Sequence, residues 1–368
     1  MEITPTDKKL DCIRGKIMDG IRLDFDDALA MYQTHDLIGL GRLAGYVRGK
    51  RHGKKAFYIY NQHLNYTNVC SNRCLFCAFA RDEGQDKAFT LSMDQIKSRL
   101  EERSDEPISE LHIVGGINPS LDFDYYLNLL DTVRSIRPDA VIKAFTAVEI
   151  DHLSRISGMS LDDTIKKLKE SGLSMVPGGG AEVLSDRVKE ELFPKKIDYR
   201  RWLDVMTAIH SAGIVSNATM LYGHIETIEE RAVHLIRLRE LQDSTKGFSA
   251  FIPLAFHSEN TRLPEIMPTT GFDDLKNVAI ARLMLDNFDH IKAYWVMIGE
   301  KLAQVALSFG ADDLDGTIIE EKITHMAGAK SAKGLSDKEM ERLIVTAGFT
   351  PVLRDSFYLP IKKDGKKS

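Results

Sequence analysis

From about residue 57 the sequence alternates short apolar runs with longer amphipathic stretches, and this rhythm constrains the fold more than any other feature. The runs lie at 57–60, 111–114, 141–145, 173–176, 214–221 and 248–252, with two weaker ones at 291–298 and 317–319. Between them, apolar residues recur at helical spacing over 93–101, 123–136, 161–171, 199–212 and 229–242. Gly172 and Gly213 follow two of these stretches, where a left-handed helix end favours glycine. Strand–helix–strand alternation specifies a parallel sheet, and six to eight such units fit an α/β TIM-type (β/α) barrel, complete or nearly complete at eight strands. Barrels of this kind carry their chemistry at the C-terminal ends of the strands, so each motif can be tested by whether it follows one.

The expected organisation is a helical extension over 1–50, the barrel over 51–357 and a basic tail over 358–368. In the extension Leu10, Ile13, Ile17 and Met18 share one helical face, as do Ala28, Leu29 and Tyr32, with Asp24 or Asp26 as a cap. A net charge of −5 gives no overall basic field for nucleic acid. The run Arg48-Gly49-Lys50-Arg51-His52-Gly53-Lys54-Lys55 is the local exception, either a solvated connector or an anion-capturing surface. The N-terminus has no apolar leader, no stretch approaches the roughly 20 apolar residues of a membrane span, and three of four cysteines crowd into eight residues; a reducing cytoplasm is expected. Cys12, in the amphipathic stretch, reads as a small buried apolar residue.

The three crowded cysteines, Cys70, Cys74 and Cys77, have the spacing Cys-x3-Cys-x2-Cys and follow the first strand. Three thiolates leave one iron of a [4Fe–4S] cube open to a ligand, whereas a closed cluster generally takes four cysteines. The neighbouring Phe76 and Phe79 would exclude water. A zinc site is the alternative and would need a fourth ligand, with Cys12 and His63 as the nearest possibilities in sequence.

This spacing, with an aromatic residue before the last cysteine, resembles the radical S-adenosylmethionine (SAM) superfamily. The resemblance implies that the open iron chelates the amino and carboxylate groups of SAM, and that one electron cleaves SAM to methionine and a 5′-deoxyadenosyl radical. It implies further SAM contacts as well. Gly115 and Gly116, after the second strand, match the position that holds the methionine amine. Glu182, after the triple glycine Gly178-Gly179-Gly180, offers a carboxylate to the ribose, or is an acid at a helix N-terminus. Arg201, next to Arg200, resembles the arginine that pairs with the methionine carboxylate. Gly223 and Glu226 match half of a motif near the adenine, and backbone groups at Ile252 would read the adenine edge.

Past the cysteines, Lys143-Ala144-Phe145-Thr146-Ala147-Val148-Glu149, Pro177 to Glu182, Asn217 to Thr227 and Phe251 to His257 are similar to the aminofutalosine synthase family, over roughly residues 40–357. Ser258 stands where that family carries proline. The likeness implies addition of the deoxyadenosyl radical to the vinyl group of 3-[(1-carboxyvinyl)oxy]benzoate, then rearrangement onto the ring, loss of a carboxylate and release of aminofutalosine for menaquinone synthesis. It also implies a one-electron donor such as flavodoxin or ferredoxin. Relatives that abstract hydrogen, the dehypoxanthine futalosine cyclase and the deazaflavin-chromophore synthase subunits, are the alternative. A dicarboxylate substrate needs cationic or hydrogen-bonding partners, and His63, Arg81, Lys143, His257, Asn260, Thr261 and Arg262 are the candidates near strand ends. Lys143 and His257 are also candidates for catalysis. Lys143, inside an apolar strand, must face an anion or pair with Glu149.

Overall fold

Each long helix starts on a side chain that accepts its orphan backbone N–H groups: Ser92 before Met93–Glu101, Asp122 before Phe123–Ile136, Asp198 before Tyr199–Ser211 and Thr227 before Ile228–Thr245. Their apolar stripes pack on a parallel sheet. The computed structural model describes residues 5–318 and 321–361. Its strands are β1 (Lys55–Ile59), β2 (Asn61–Leu64), β3 (Glu110–Ile113), β4 (Val141–Ala144), β5 (Met175–Val176), β6 (Val215–Tyr222), β7 (Phe248–Ala255), β8 (His290–Ile291), β9 (Asp313–Gly316) and β10 (Thr350–Leu353).

β2 to β8 form one seven-stranded sheet in chain order, every pair parallel. The sheet curls back on itself. β1 runs into β2 through Tyr60, and β9 lies beside both β1 and the end of β8, where Ala293 N donates to Asp313 O at 2.8 Å. This is the expected (β/α) barrel, with β9 joining its edges and β10 adding an outer strand to β1. The 291–298 run is a strand for only its first residue; Trp295–Ile298 is a helical turn, and Trp295 Nε1 donates to Gly316 O at 2.8 Å. The strand expected at 317–319 lies just before it, at Asp313–Gly316, and Ile319 falls outside the described residues.

The N-terminal helices are α1 (Lys8–Met18), α2 (Phe25–Gln33), capped by Asp24, and α3 (Leu37–His52). α3 packs along Gly271–Met284. Cys12 is exposed on α1, not buried, because the buried face runs through Leu10 and Ile13. Most of the basic run is solvated at the end of α3 and the turn after it, with Gly49, Lys50, Gly53, Lys54 and Lys55 exposed, while its two arginines tie it to neighbouring backbone. Arg48 is buried and donates to the carbonyls of Gly53 and Lys55, while Arg51 donates to those of Phe288 and Asp286. Of the basic tail, 362–368 lie outside the described residues. No helix among the described residues is long and apolar enough to cross a membrane.

Strand alternation sends Leu111 and Ile113 outward under the helices and Glu110 and His112 into the barrel. The interior is unusual. Barrels of this type are filled mainly by branched apolar side chains. Here Lys143 pairs with Glu110 at 2.7 Å, Lys292 with Asp315 at 3.2 Å and Arg354 with Asp313 at 2.6 Å, all buried. Ser356 Oγ donates to the second Glu110 oxygen at 2.8 Å. Lys143 thus finds its anion in Glu110, and its pairing with Glu149 does not occur. Burial alone would raise the Glu110 pKa, but Lys143 and Lys292 hold it well below the usual carboxylate range.

Candidate active site

A cavity of about 330 Å³ opens at the C-terminal ends of the strands, lined by all three crowded cysteines. Cys74 is 5% exposed, and burial pushes its thiol up to about 12; burial raises Cys77 as well. Bare thiolates are costly in such surroundings and become favourable when they ligate a cation. The loop is held from several sides. Cys70 N donates to Arg81 O at 3.0 Å, Leu75 N to Leu192 O at 2.8 Å, and Arg262 N to Leu75 O at 3.0 Å. Phe76 meets Phe193 edge-on at 5.8 Å, and Phe79 meets Phe89 at 6.0 Å.

The Gly115–Gly116 turn lies directly against this loop. A Cβ on Gly116 would overlap Val69 O and stand 2.8 Å from Cys70 Cβ, so only glycine permits the approach. Gly116→Ala is expected to destabilise the protein by about 1–3 kcal/mol through overpacking. It should also lower the iron retained after reconstitution. Denaturant unfolding and iron assay check this; unchanged iron content would show that the turn does not set the loop. Gly115 N donates to Glu149 at 3.1 Å, and the same carboxylate accepts from Thr146 N at 2.7 Å and Tyr66 Oη at 2.8 Å. Glu149 therefore ties together the turns after β3 and β4.

Of the residues expected from sequence, the structure brings His63, Cys70, Cys74, Cys77, Gly115, Gly116, Glu182, Ile252 and His257 to the cavity wall. Glu182 pairs with Lys196, which lies over the rings of Phe76 and Phe193 at 5.1 and 5.2 Å. Lys196 was not foreseen. It sits among Cys74, Cys77 and Glu182; burial opposes its charge, but Glu182 and the thiols raise its pKa. His257 Nε2 donates to Met297 O at 2.9 Å.

The others lie off the wall and have structural partners. Arg201 binds Asp151 at 2.7 Å, and its neighbour Arg200 binds Asp186. Arg81 donates to the carbonyls of Ala78 and Ala80, at 2.8 Å each. Arg262 also donates to Arg73 O, Asn260 to Met326 O, and the Thr261 hydroxyl to Ser258 O. Glu226 accepts from Gly223 N at 2.6 Å and His224 N at 2.9 Å, closing the turn after β6. Although burial works the other way, His224 and Arg231 hold its carboxyl down to about 2. Lys143 lies beneath the cavity in the ion-paired layer. Residues not foreseen on the wall include His112, Thr146, Glu149, Tyr294, Asp315 and Glu321.

A curled parallel barrel that brings three cysteines to one cavity at its strand ends fits a cluster-dependent barrel enzyme. The comparisons agree. The radical SAM superfamily pattern matches residues 64–238, and the CofH/MqnC C-terminal region matches 245–365. The chain is 44% identical to aminodeoxyfutalosine synthase from Thermus thermophilus, covering 97% of each chain. It is 40% identical to 5-amino-6-(D-ribitylamino)uracil–L-tyrosine 4-hydroxyphenyl transferase from Archaeoglobus fulgidus, over 92% of this chain and 96% of that one. Among solved structures, methylornithine synthase superposes with a TM-score of 0.74 at 18% identity, over 92% and 97% of the two chains, a likeness of fold. The chain belongs to the radical SAM superfamily, in the family that includes aminodeoxyfutalosine synthases and these tyrosine transferases. Enzymes of this superfamily use a [4Fe–4S] cluster and SAM.

Proposed function

We propose that this chain is an aminodeoxyfutalosine synthase, joining the 5′-deoxyadenosyl group of SAM to 3-[(1-carboxyvinyl)oxy]benzoate, with rearrangement and loss of one carboxylate as carbon dioxide or bicarbonate. The observation that carries it is the 44% identity to a protein of that name over nearly the full length of both chains. In this reading Cys70, Cys74 and Cys77 hold the cluster, which when bound with SAM supplies the deoxyadenosyl radical on one-electron reduction. The thiols fit that role: they line one cavity, they are the only free cysteines on its wall among the described residues, and the fourth cysteine, Cys12, is exposed on α1. The chain's own residues position and shield the reactants. Glu182 faces the cavity with Lys196 beside it, so the pair provides an acceptor and a donor for the polar ends of SAM. Glu149 fixes the Gly115 turn against the cysteine loop. Leu221, Ile252, Leu254 and Phe256 form an apolar wall that keeps water from a radical.

The tyrosine transferase is the second reading, favoured by the 40% identity to the archaeal protein. Anaerobic, reconstituted protein given SAM, dithionite and either the enol ether or tyrosine plus 5-amino-6-(D-ribitylamino)uracil separates the two. Aminodeoxyfutalosine from the first mixture, and no coupled product from the second, is expected; the reverse pattern establishes the transferase.

A further inference from the structure

Below the cysteine loop the cavity meets a wall of polar side chains, and nearly all of them already have partners. Lys143 holds Glu110 and Lys292 holds Asp315. The Glu321 carboxylate accepts from Thr324 N at 2.8 Å and binds His325 Nδ1 at 2.9 Å. His63 and His112 differ. They are register partners on β2 and β3, one residue before each strand ends, and both line the cavity. Their rings stack with centroids 4.4 Å apart and planes within 6°. His63 is 7% exposed, yet among the described residues none makes a hydrogen bond to either ring. Buried imidazoles ordinarily find hydrogen-bond partners. A stacked pair open to a cavity, with its ring nitrogens unengaged, has the form of a ligand-binding group.

We propose that His63 and His112 receive the ring carboxylate of the benzoate substrate, a specificity site that rests on the synthase reading above. The orientation follows from the two ends of the cavity. The vinyl carbon must face the cysteine loop, where the radical forms. The benzoate carboxylate then points away from it, towards the barrel interior, with the aromatic ring along Leu221, Ile252 and Leu254. Of the neighbouring acids, Asp315 is paired with Lys292, and the Glu321 oxygens are engaged by Thr324 N and His325. Two imidazoles stacked side by side from adjacent strands on the cavity wall can each offer an N–H to one oxygen of a carboxylate.

Calorimetric titration tests this on reconstituted protein with SAM and no reductant, so that binding is read without turnover. The ligands are the enol ether and 2-phenoxyacrylate, which lacks only the ring carboxylate. Wild-type protein should bind the enol ether roughly 10- to 100-fold more tightly, the range for hydrogen bonds to a charged group. His112→Phe and His63→Phe keep an aromatic stack but remove the donors. They should weaken the enol ether by a similar factor while leaving 2-phenoxyacrylate nearly unchanged. His112→Gln, which keeps a donor, should recover part of the preference. Equal binding of both ligands by wild type overturns the site without recourse to any variant. So does a Phe variant that folds, by circular dichroism, and keeps the wild-type preference. Failure of wild type to bind the enol ether at all counts instead against the synthase reading.

Discussion

Cys74→Ala is expected to reduce product formation to the level of a reaction without protein and to remove the brown iron–sulfur absorption, while leaving a folded barrel. Cys70→Ala and Cys77→Ala should behave alike. A cube held by three thiolates has no spare ligand, and Cys12, exposed on α1, lies in no position on the cavity wall to replace one. The effect on folding is much smaller. Removing one sulfur from a buried site costs about 1 kcal/mol, a few degrees in melting temperature. Absorption spectra, iron and sulfide content and thermal melts, recorded on the same samples, separate the two effects. A folded alanine variant with full iron content and turnover contradicts the assignment of that cysteine.

Lys143→Met is expected to cost about 3–5 kcal/mol of folding stability, the range for breaking a buried ion pair by removing one partner. The substitution leaves the Glu110 carboxylate inside the barrel without its nearest cation. Ser356 and Asn61 still donate to Glu110, at 2.8 and 3.4 Å, but neither carries charge. Glu110→Gln should be destabilising for the mirror reason, leaving an ammonium unpaired. The double variant Lys143→Met/Glu110→Gln should recover much of the loss, because a buried pair removed together leaves no lone charge. Urea unfolding of the four proteins gives the coupling directly. A loss under about 1 kcal/mol in Lys143→Met would mean that water reaches this layer and that the pair behaves as an exposed one.

Those charges mark where the sequence stopped being legible. The strands could be read because their outward faces, such as Leu111 and Ile113 on β3, are apolar and the helices between them carry clear stripes. Their inward faces could not. Glu110 and His112 sit at alternate positions whose partners, Lys143, Lys292 and His63, come from other strands and are fixed only once the barrel closes. The same limit explains Lys196. In Lys195-Lys196 it looks like a solvated pair, and its partner Glu182 stands 14 residues earlier, with the helix Asp186–Leu192 between them. Trp295–Ile298 shows a different failure: four apolar residues have no period that separates strand from helix. Thr146-x-x-Glu149 is a capping box at the start of Ala147–Ser157, but its position just after β4 drew attention to the strand instead. By contrast, Cys70, Cys74 and Cys77 carry their meaning in local spacing, and Gly116 in its place after a strand. Both survive without knowledge of long-range contacts.

The substrate-facing residues divide along the same line. Arg81, Asn260, Thr261 and Arg262 are polar residues near strand ends, which is all the sequence shows. The fold uses them on backbone carbonyls that shape the cysteine loop and the turn after β7. Arg201 likewise serves Asp151 on the neighbouring helix Ala147–Ser157.

The fate of the adenosyl group tests the central claim most directly. SAM labelled in its ribose is incubated anaerobically with reconstituted protein, dithionite and the enol ether, and the products are separated by mass. The account predicts that the label leaves with the aromatic product, one adenosyl group per methionine released. Label recovered only as free 5′-deoxyadenosine, with the aromatic substrate consumed, would identify a hydrogen-abstracting enzyme and contradict it.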